Sequence, residues 1–306
     1  MHGHHDLSER IEAVITSFNQ GAMILEAVHS LCVQTKLPCK IIIVDDGSTD
    51  EYSLHVLKSI EHSSDFPIPV MIHYQKNGGV SSARNAGIRK TQAPMVLVLD
   101  GDDRLEPEYI KSVSSLLRDH PSMVAASSWM HIFGVLDSVV RPAGGTIRSF
   151  LSHNCCPATH ILRREIFDRC GGYDESMRSG FEDWEFFLNL LEALPESSIG
   201  IVEKPLINYR TAPASSNVKS MNKRLDLLRY MIEKHIDSYR RDVVDALLGI
   251  EAISSSRLYG WENEMKHSIA NRRELSKASH EFLKSPTYGD GGMASAVRVV
   301  SFQKEC

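Results

Sequence analysis

No apolar run in this chain approaches the roughly 20 residues that a membrane-spanning helix requires; stretches such as PMVLVL at 94–99 stop far short. The opening decapeptide, MHGHHDLSER, lacks the basic-then-apolar order of a secretory signal and reads as a flexible or tag-like terminus with metal-capable histidines. Cysteine is sparse, with six in 306 residues, and none forms C-x-x-C: Cys155 and Cys156 are adjacent, and six residues separate Cys32 from Cys39. A disulfide framework is therefore excluded, and the thiols read as reduced, in a cytoplasmic protein. No block of like charge stands out in a chain whose 34 basic and 39 acidic residues leave a net charge of −5. A nucleic-acid-binding stripe and a polybasic membrane patch thus have no support. What the chain does have is 42% hydrophobic residues, globular composition with length enough to bury a substantial core.

Over residues 11–110, short β-rich apolar runs alternate with amphipathic segments of helical length. Strands are expected at 11–18, 41–44, 70–74 and 95–99, and helices at 23–35, 53–62 and 80–90. The unbroken run Ile41-Ile42-Ile43-Val44 marks a strand buried on both faces. Such alternation predicts a mostly parallel sheet with helices on both faces. Residues 120–215 are less regular, with a helix expected at 181–191 and a strand at 202–209; the segment APASSNVKS at 212–220 is loop-like. From about 221 to 283 the pattern is long and helical. The expected organisation is an α/β domain over 1–215 and a helical C-terminal extension over 216–306.

Acidic residues fall at the carboxyl ends of the expected strands, the edge at which open α/β sheets bind ligands. Asp100, Asp102 and Asp103 follow a buried strand; carboxylates so close repel unless a cation or hydrogen-bond donors share the site. A hard divalent ion held by one or two carboxylates and substrate phosphates would answer that need, whereas a solvated acidic turn would need nothing. Asp45 and Asp46 end a second strand, where Ser48 or Thr49 could cap the next helix. Asn77-Gly78-Gly79, with Arg84 a helical turn onward and Ser81 or Ser82 available as caps, suggests close backbone approach to a ligand. Glu182 and Asp183 open an aromatic helix, where acids also serve the helix dipole.

In order along the chain, VITSFNQG at 14–21, IIIVDDGSTD at 41–50, KNGGVSSARNAGI at 76–88, VLVLDGDD at 96–103, ILRREIFDRCGGYDE at 161–175, FEDWEFFLNL at 181–190 and EKPLINYR at 203–210 resemble an inverting glycosyltransferase of family 2. Each motif is weak alone; the ordered set, spanning about 200 of 306 residues, is specific. The resemblance implies the GT-A fold, a nucleotide-sugar donor with uridine diphosphate (UDP) sugars foremost, Mn2+ or Mg2+ as cofactor, and an acceptor hydroxyl, a lipid-linked saccharide at the inner membrane surface being one candidate. It sets Thr16, Phe18, Asp45 and Asp46 around base and ribose, with Asn77 and Arg84 completing the base and phosphate pocket. Asp100 and Asp102 match the DxD motif, Asp100 near the ribose and Asp102 on the metal, and Asp183 matches the catalytic base. Two positions depart from the pattern: Thr16 replaces a usual proline, and Thr211-Ala212-Pro213 stands where many members carry a metal-binding histidine. The C-terminal extension matches nothing named and is open to acceptor recognition or self-association; peripheral membrane contact stays open for the chain as a whole.

Rival readings are a haloacid-dehalogenase-type phosphatase, a receiver domain and a non-catalytic nucleotide-sugar-binding subunit or sensor. The first leaves the other motifs unexplained, and the second is too short a module. The third would keep the pocket and lose Asp183, which is present.

Overall fold

The computed structural model describes residues 9–212 and 220–305. The histidine-bearing start and most of the loop expected at 212–220 lie outside the described residues. Four strands, β1 (Ile11–Ser17), β2 (Lys40–Asp45), β3 (Val70–Tyr74) and β4 (Met95–Asp100), run parallel in the order β3-β2-β1-β4. Every residue of β1 is buried, as a strand covered on both faces requires. On one face Ala13, Ile15, Ile41, Ile43, Leu97 and Leu99 join a core with Ile24 and Leu31 of α1 (Met23–Cys32) and Val56 and Leu57 of α2 (Glu51–His62). On the other, Val14 and Val44 lie against α3 (Val80–Arg89). Each such buried aliphatic side chain contributes about 1.5–3 kcal/mol.

Beyond β4 the sheet becomes mixed. After β5 (Arg104–Leu105) and α4 (Tyr109–Asp119) come β6 (Met123–Gly134), β7 (Ser138–Val140), β8 (Gly145–Thr146), α5 (Ile147–Phe150), β9 (His160–Arg163), α6 (Arg164–Cys170), α7 (Glu182–Ala193) and β10 (Ser198–Thr211). β9 is antiparallel to both β4 and β6, and β6 pairs parallel with β10. The stretch expected to be irregular thus carries the two longest strands, of 12 and 14 residues. Its regularity is hidden because β6 is built from Ala125, Ala126, Ser127 and Ser128, all fully buried, with the Ser127 hydroxyl satisfied by the Thr159 carbonyl at 2.6 Å.

The strand ends come into register at one edge: Thr16 stands opposite Asp100, and Ser17 opposite Asp45. Gly101 keeps this edge tight, because a Cβ there would lie 2.6 Å from the Thr16 carbonyl oxygen. The helix starts depart from expectation. Asp50, not Ser48 or Thr49, caps α2 by accepting the Ser53 N–H at 2.9 Å. Neither Ser81 nor Ser82 caps α3, whose N-cap is Gly79.

The described chain divides into two compact units, at Asp242/Val243 rather than at the expected 215/216. Helices α8 (Arg224–Lys234) and α9 (Ile236–Arg241) belong to the sheet-bearing unit through polar contacts. Lys234 Nζ meets Asp174 at 2.6 Å and Glu185 at 2.7 Å, and the buried His235 lies between Glu185 and Glu192 at 3.2 and 2.9 Å. The second unit comprises α10 (Val243–Ala270), α11 (Lys277–Lys284) and α12 (Gly292–Glu305) around Met265, Phe282, Ala296 and Val299. Within it, Glu262 accepts from Ser295, Arg298 and Lys266, which lowers its pKa to about 2. Among the described residues no helix is long and apolar enough to cross a membrane, and no disulfide forms between the described cysteines.

Candidate active site

At the end of β2 the two aspartates turn to different tasks. Asp45 accepts from the Ser48 hydroxyl at 2.5 Å and from the Ser48 N–H at 3.2 Å, so Ser48 braces the turn instead of capping a helix. Asp46 accepts from Gly78 N and Gly79 N, each at 2.8 Å, and from Gln75 Nε2 at 2.7 Å. It therefore supplies the anion that the start of α3 otherwise lacks. Gly79, at φ +90°, adopts a backbone conformation open to glycine at little cost. Asn77 Nδ2 donates to the Asp46 carbonyl at 2.9 Å, tying the loop to the β2 end, while Phe18 at the end of β1 stays about half exposed.

Asp100 closes β4 and is the hub of the site. Thr16 Oγ1 donates to it at 3.1 Å, and Arg84 Nη2 contacts both its oxygens at 2.9 Å. Arg84 also reaches Glu182 across the site, with Nη1 at 3.5 Å. The resemblance sets Arg84 beside donor phosphates; the structure buries it to 2% exposure between carboxylates, with Nε and Nη1 lacking hydrogen bonds. Burial opposes its charge, yet Asp100 and Glu182 outweigh that and raise its pKa further. It stabilises the acidic cluster from beneath.

Asp102 is partly buried, and burial together with the charge of Asp100 raises its pKa. Asp103 is buried and pushed higher still, by burial and by both neighbouring aspartates, although it accepts the Arg210 N–H at 2.9 Å. Arg210 also donates from Nε to the Asp102 carbonyl at 3.0 Å and from Nη2 to Glu26 at 2.9 Å. Among the described residues, no group of three or more His, Cys, Asp or Glu side chains is gathered to hold a metal. A cation bridged to a diphosphate needs fewer protein ligands, and Asp102, strained by its acidic neighbours, has the chemistry for one. Where a histidine is usual, the Thr211 hydroxyl is committed to the turn beside it, donating to the Phe133 carbonyl at 2.7 Å and accepting the Val135 N–H at 3.0 Å. Pro213 lies outside the described residues.

The opposite wall is the start of α7. Gly180 at φ +109° and Phe181 at φ +65° make the turn that delivers Glu182 and Asp183; a bulky residue in the left-handed region is rare and concentrates at functional sites. Burial raises the pKa of both acids, Asp183 adds to the effect on Glu182, and Arg84 opposes it in each. Asp183 Oδ2 accepts from Asn154 Nδ2 at 3.0 Å, and Oδ1 from the Trp184 N–H at 2.9 Å. Trp184 is a packing residue: it is 2% exposed and its indole donates to the Phe150 carbonyl at 2.7 Å. Phe181 lies against Trp184, with ring centroids 5.3 Å apart.

The structure thus joins Thr16, Asp100, Arg84 and Glu182 in one polar chain, and Asp46 with Asn77 in another. Arg210 and Asn154 are the residues that sequence reasoning passed over. Arg210 stands in the matched segment EKPLINYR, which was a signal; Asn154 had none.

Comparison with known proteins bears on the family and the fold. The sequence model described as glycosyl transferase family 2 matches residues 12–171. A protein of Haemophilus influenzae named as an uncharacterized glycosyltransferase is 25% identical over 248 residues, covering 77% of this chain and 81% of that protein. The Bacillus subtilis protein named as uncharacterized glycosyltransferase YwdF is 24% identical over 236 residues, 74% of this chain and 84% of its own. Among solved structures, S. aureus TarS 1-349 in complex with UDP-GlcNAc is similar with a TM-score of 0.58 and 17% identity, covering 73% of this chain and 66% of that one. At that identity the likeness speaks for the fold alone.

Proposed function

The chain belongs to glycosyl transferase family 2 and is a glycosyltransferase; from that premise we propose that it moves a sugar, with inversion, from a UDP-sugar to an acceptor hydroxyl in a metal-dependent reaction. One observation carries the reading: Arg84 spans Asp100, at the end of β4, and Glu182, beside Asp183, so the DxD aspartates and the acid pair of α7 form one site. Thr16, Phe18 and the loop braced by Asp46 and Asn77 receive the nucleotide. A UDP-GlcNAc complex of a protein with the same fold supports a uridine nucleotide as the carrier.

Asp102 is the residue that would hold Mn2+ or Mg2+, which supplies charge neutralisation for the departing diphosphate. Asp183 accepts the acceptor's proton as the acceptor oxygen bonds to the anomeric carbon. The bond from that carbon to the diphosphate breaks, and its electron pair leaves with UDP. Attack on the face opposite the leaving group inverts the centre, so no enzyme nucleophile is required.

Titration calorimetry with UDP, with and without manganese, tests the donor site. Wild-type protein should bind more tightly with manganese, and Asp102→Asn should abolish that gain. An undiminished manganese effect in the variant removes Asp102 from the metal site.

A further inference from the structure

Asn154 lies in the segment between α5 and β9, and its side chain bridges two elements. Nδ2 donates to Asp183 Oδ2 at 3.0 Å, while Oδ1 accepts the Cys156 N–H at 3.2 Å. A backbone N–H can only donate, so this second bond fixes the amide orientation and aims its NH2 group at the carboxylate. The segment is itself pinned. Trp184, next to Asp183, donates to the Phe150 carbonyl at 2.7 Å, Gly144 donates to the Cys155 carbonyl at 2.9 Å, and the Cys155 and Cys156 side chains are buried.

We infer that Asn154 is a positioning residue for the transfer reaction, holding the Asp183 carboxylate in the orientation from which it takes the acceptor proton. With Trp184 N on Oδ1 and Asn154 on Oδ2, each oxygen accepts one hydrogen bond and rotation of the carboxylate is stopped. The donor is neutral, which matters: it favours the ionised carboxylate, against the burial that disfavours it, without the full charge that would blunt a base. The titratable groups that face Asp183 are Glu182 on its own helix, Arg84 on α3, Asp100 on β4, Cys156, Tyr173 and Tyr209 on β10. Of these, Arg84 is the cation, and it is committed to Asp100 and Glu182.

This inference rests on Asp183 being the base, and the experiment separates the two. UDP release from UDP-N-acetylglucosamine, with water as acceptor and manganese present, is followed against pH for the full chain, Asn154→Ala, Asn154→Asp and Asp183→Asn. Both Asn154 variants should lower kcat by roughly 10- to 100-fold with KM for the donor unchanged, and move the acidic limb of the profile to higher pH. Wild-type kcat and profile in the Asn154 variants, beside an inactive Asp183→Asn, overturn the role of Asn154 alone. An active Asp183→Asn overturns the base, and the inference with it.

A second readout needs no turnover. A buried aspartate whose pKa folding raises costs stability as pH climbs from its ordinary value through its folded value. Losing the Asn154 donor extends that loss to higher pH. The melting-temperature deficit of Asn154→Ala should therefore widen as pH rises above the ordinary carboxylate range, and this pH-dependent part should vanish in the Asp183→Asn background. A deficit that is constant with pH and survives in that background contradicts the coupling.

Discussion

The half of the site proposed to bind the donor, residues 11–103, and the half proposed to carry the base, residues 144–241, are held by different means. In the first, polar groups sit at parallel strand ends and brace one another within a single sheet edge: Thr16 on Asp100, Ser48 on Asp45, Asn77 on Asp46. In the second, a helix start is located by contacts from separate segments. Asn154 and Phe150 grip its first turn, and Lys234 and His235 grip Glu185 and Glu192 farther along. The proposed donor site is thus built on sheet register, and the proposed base stands on a helix whose placement many side chains share. Arg84 reaches both halves, through Asp100 and Glu182, as do Asn85, through Tyr173 and Glu175, and Arg210, through Asp103 and Glu26.

The sharpest way to separate the halves is Asp183→Asn. Transfer should fall on the order of 10²–10⁴-fold with UDP affinity kept, measured as product formation beside calorimetry. Next in size, Arg84→Met leaves Asp100 and Glu182 without their shared cation. Denaturant unfolding should show a loss of about 2–4 kcal/mol, discounted from a fully buried pair because both carboxylates are partly exposed. If stability stays unchanged, the halves are not joined there.

His235 tests the second half alone. Burial works against its charge, but hydrogen bonds and ion pairs to Glu185 and Glu192 prevail and raise its pKa from 6.5 to about 9. Its contribution is therefore complete below pH 6.5 and is lost as pH rises toward about 9. Unfolding of the wild-type chain should show about 2–3 kcal/mol of stability disappearing across that window, and His235→Gln should flatten the dependence. The smallest effect belongs to Glu182→Gln, with turnover down less than about tenfold, because it removes helix-start charge and one Arg84 contact but not the base. A larger loss than that of Asp183→Asn would exchange the two roles.

The half of the site proposed to bind the donor was legible because its strands are short apolar runs rich in β-branched residues, with β2 and β4 ended by Asp; β3 falls at 70–74 as expected, and β1, β2 and β4 differ by a residue or two at their ends. β6 was not, since Ala and Ser carry no strand pattern even when fully buried. The unit boundary falls later than the sequence pattern implies for a related reason. In α8 only Met231 is buried, and what draws 224–241 to the sheet-bearing unit is Lys234, His235 and Ser238, polar residues whose partners lie 43–60 positions away. In the site, the aspartates were visible through motif order, whereas the Asn154–Asp183 and Arg210–Asp103 contacts span 29 and 107 residues with no local signature. The burial of Arg84 was equally invisible: an arginine one turn into a helix looks the same in sequence whether or not its guanidinium is covered by carboxylates.

The most direct test crosses the two halves in one titration series: UDP with manganese, measured by calorimetry on wild type, Asp102→Asn and Asp183→Asn, with UDP release followed on the same samples. Asp102→Asn should lose the manganese-dependent affinity, while Asp183→Asn should bind UDP as wild type does and release almost none from the donor. Binding and turnover collapsing together in Asp183→Asn would contradict this expectation.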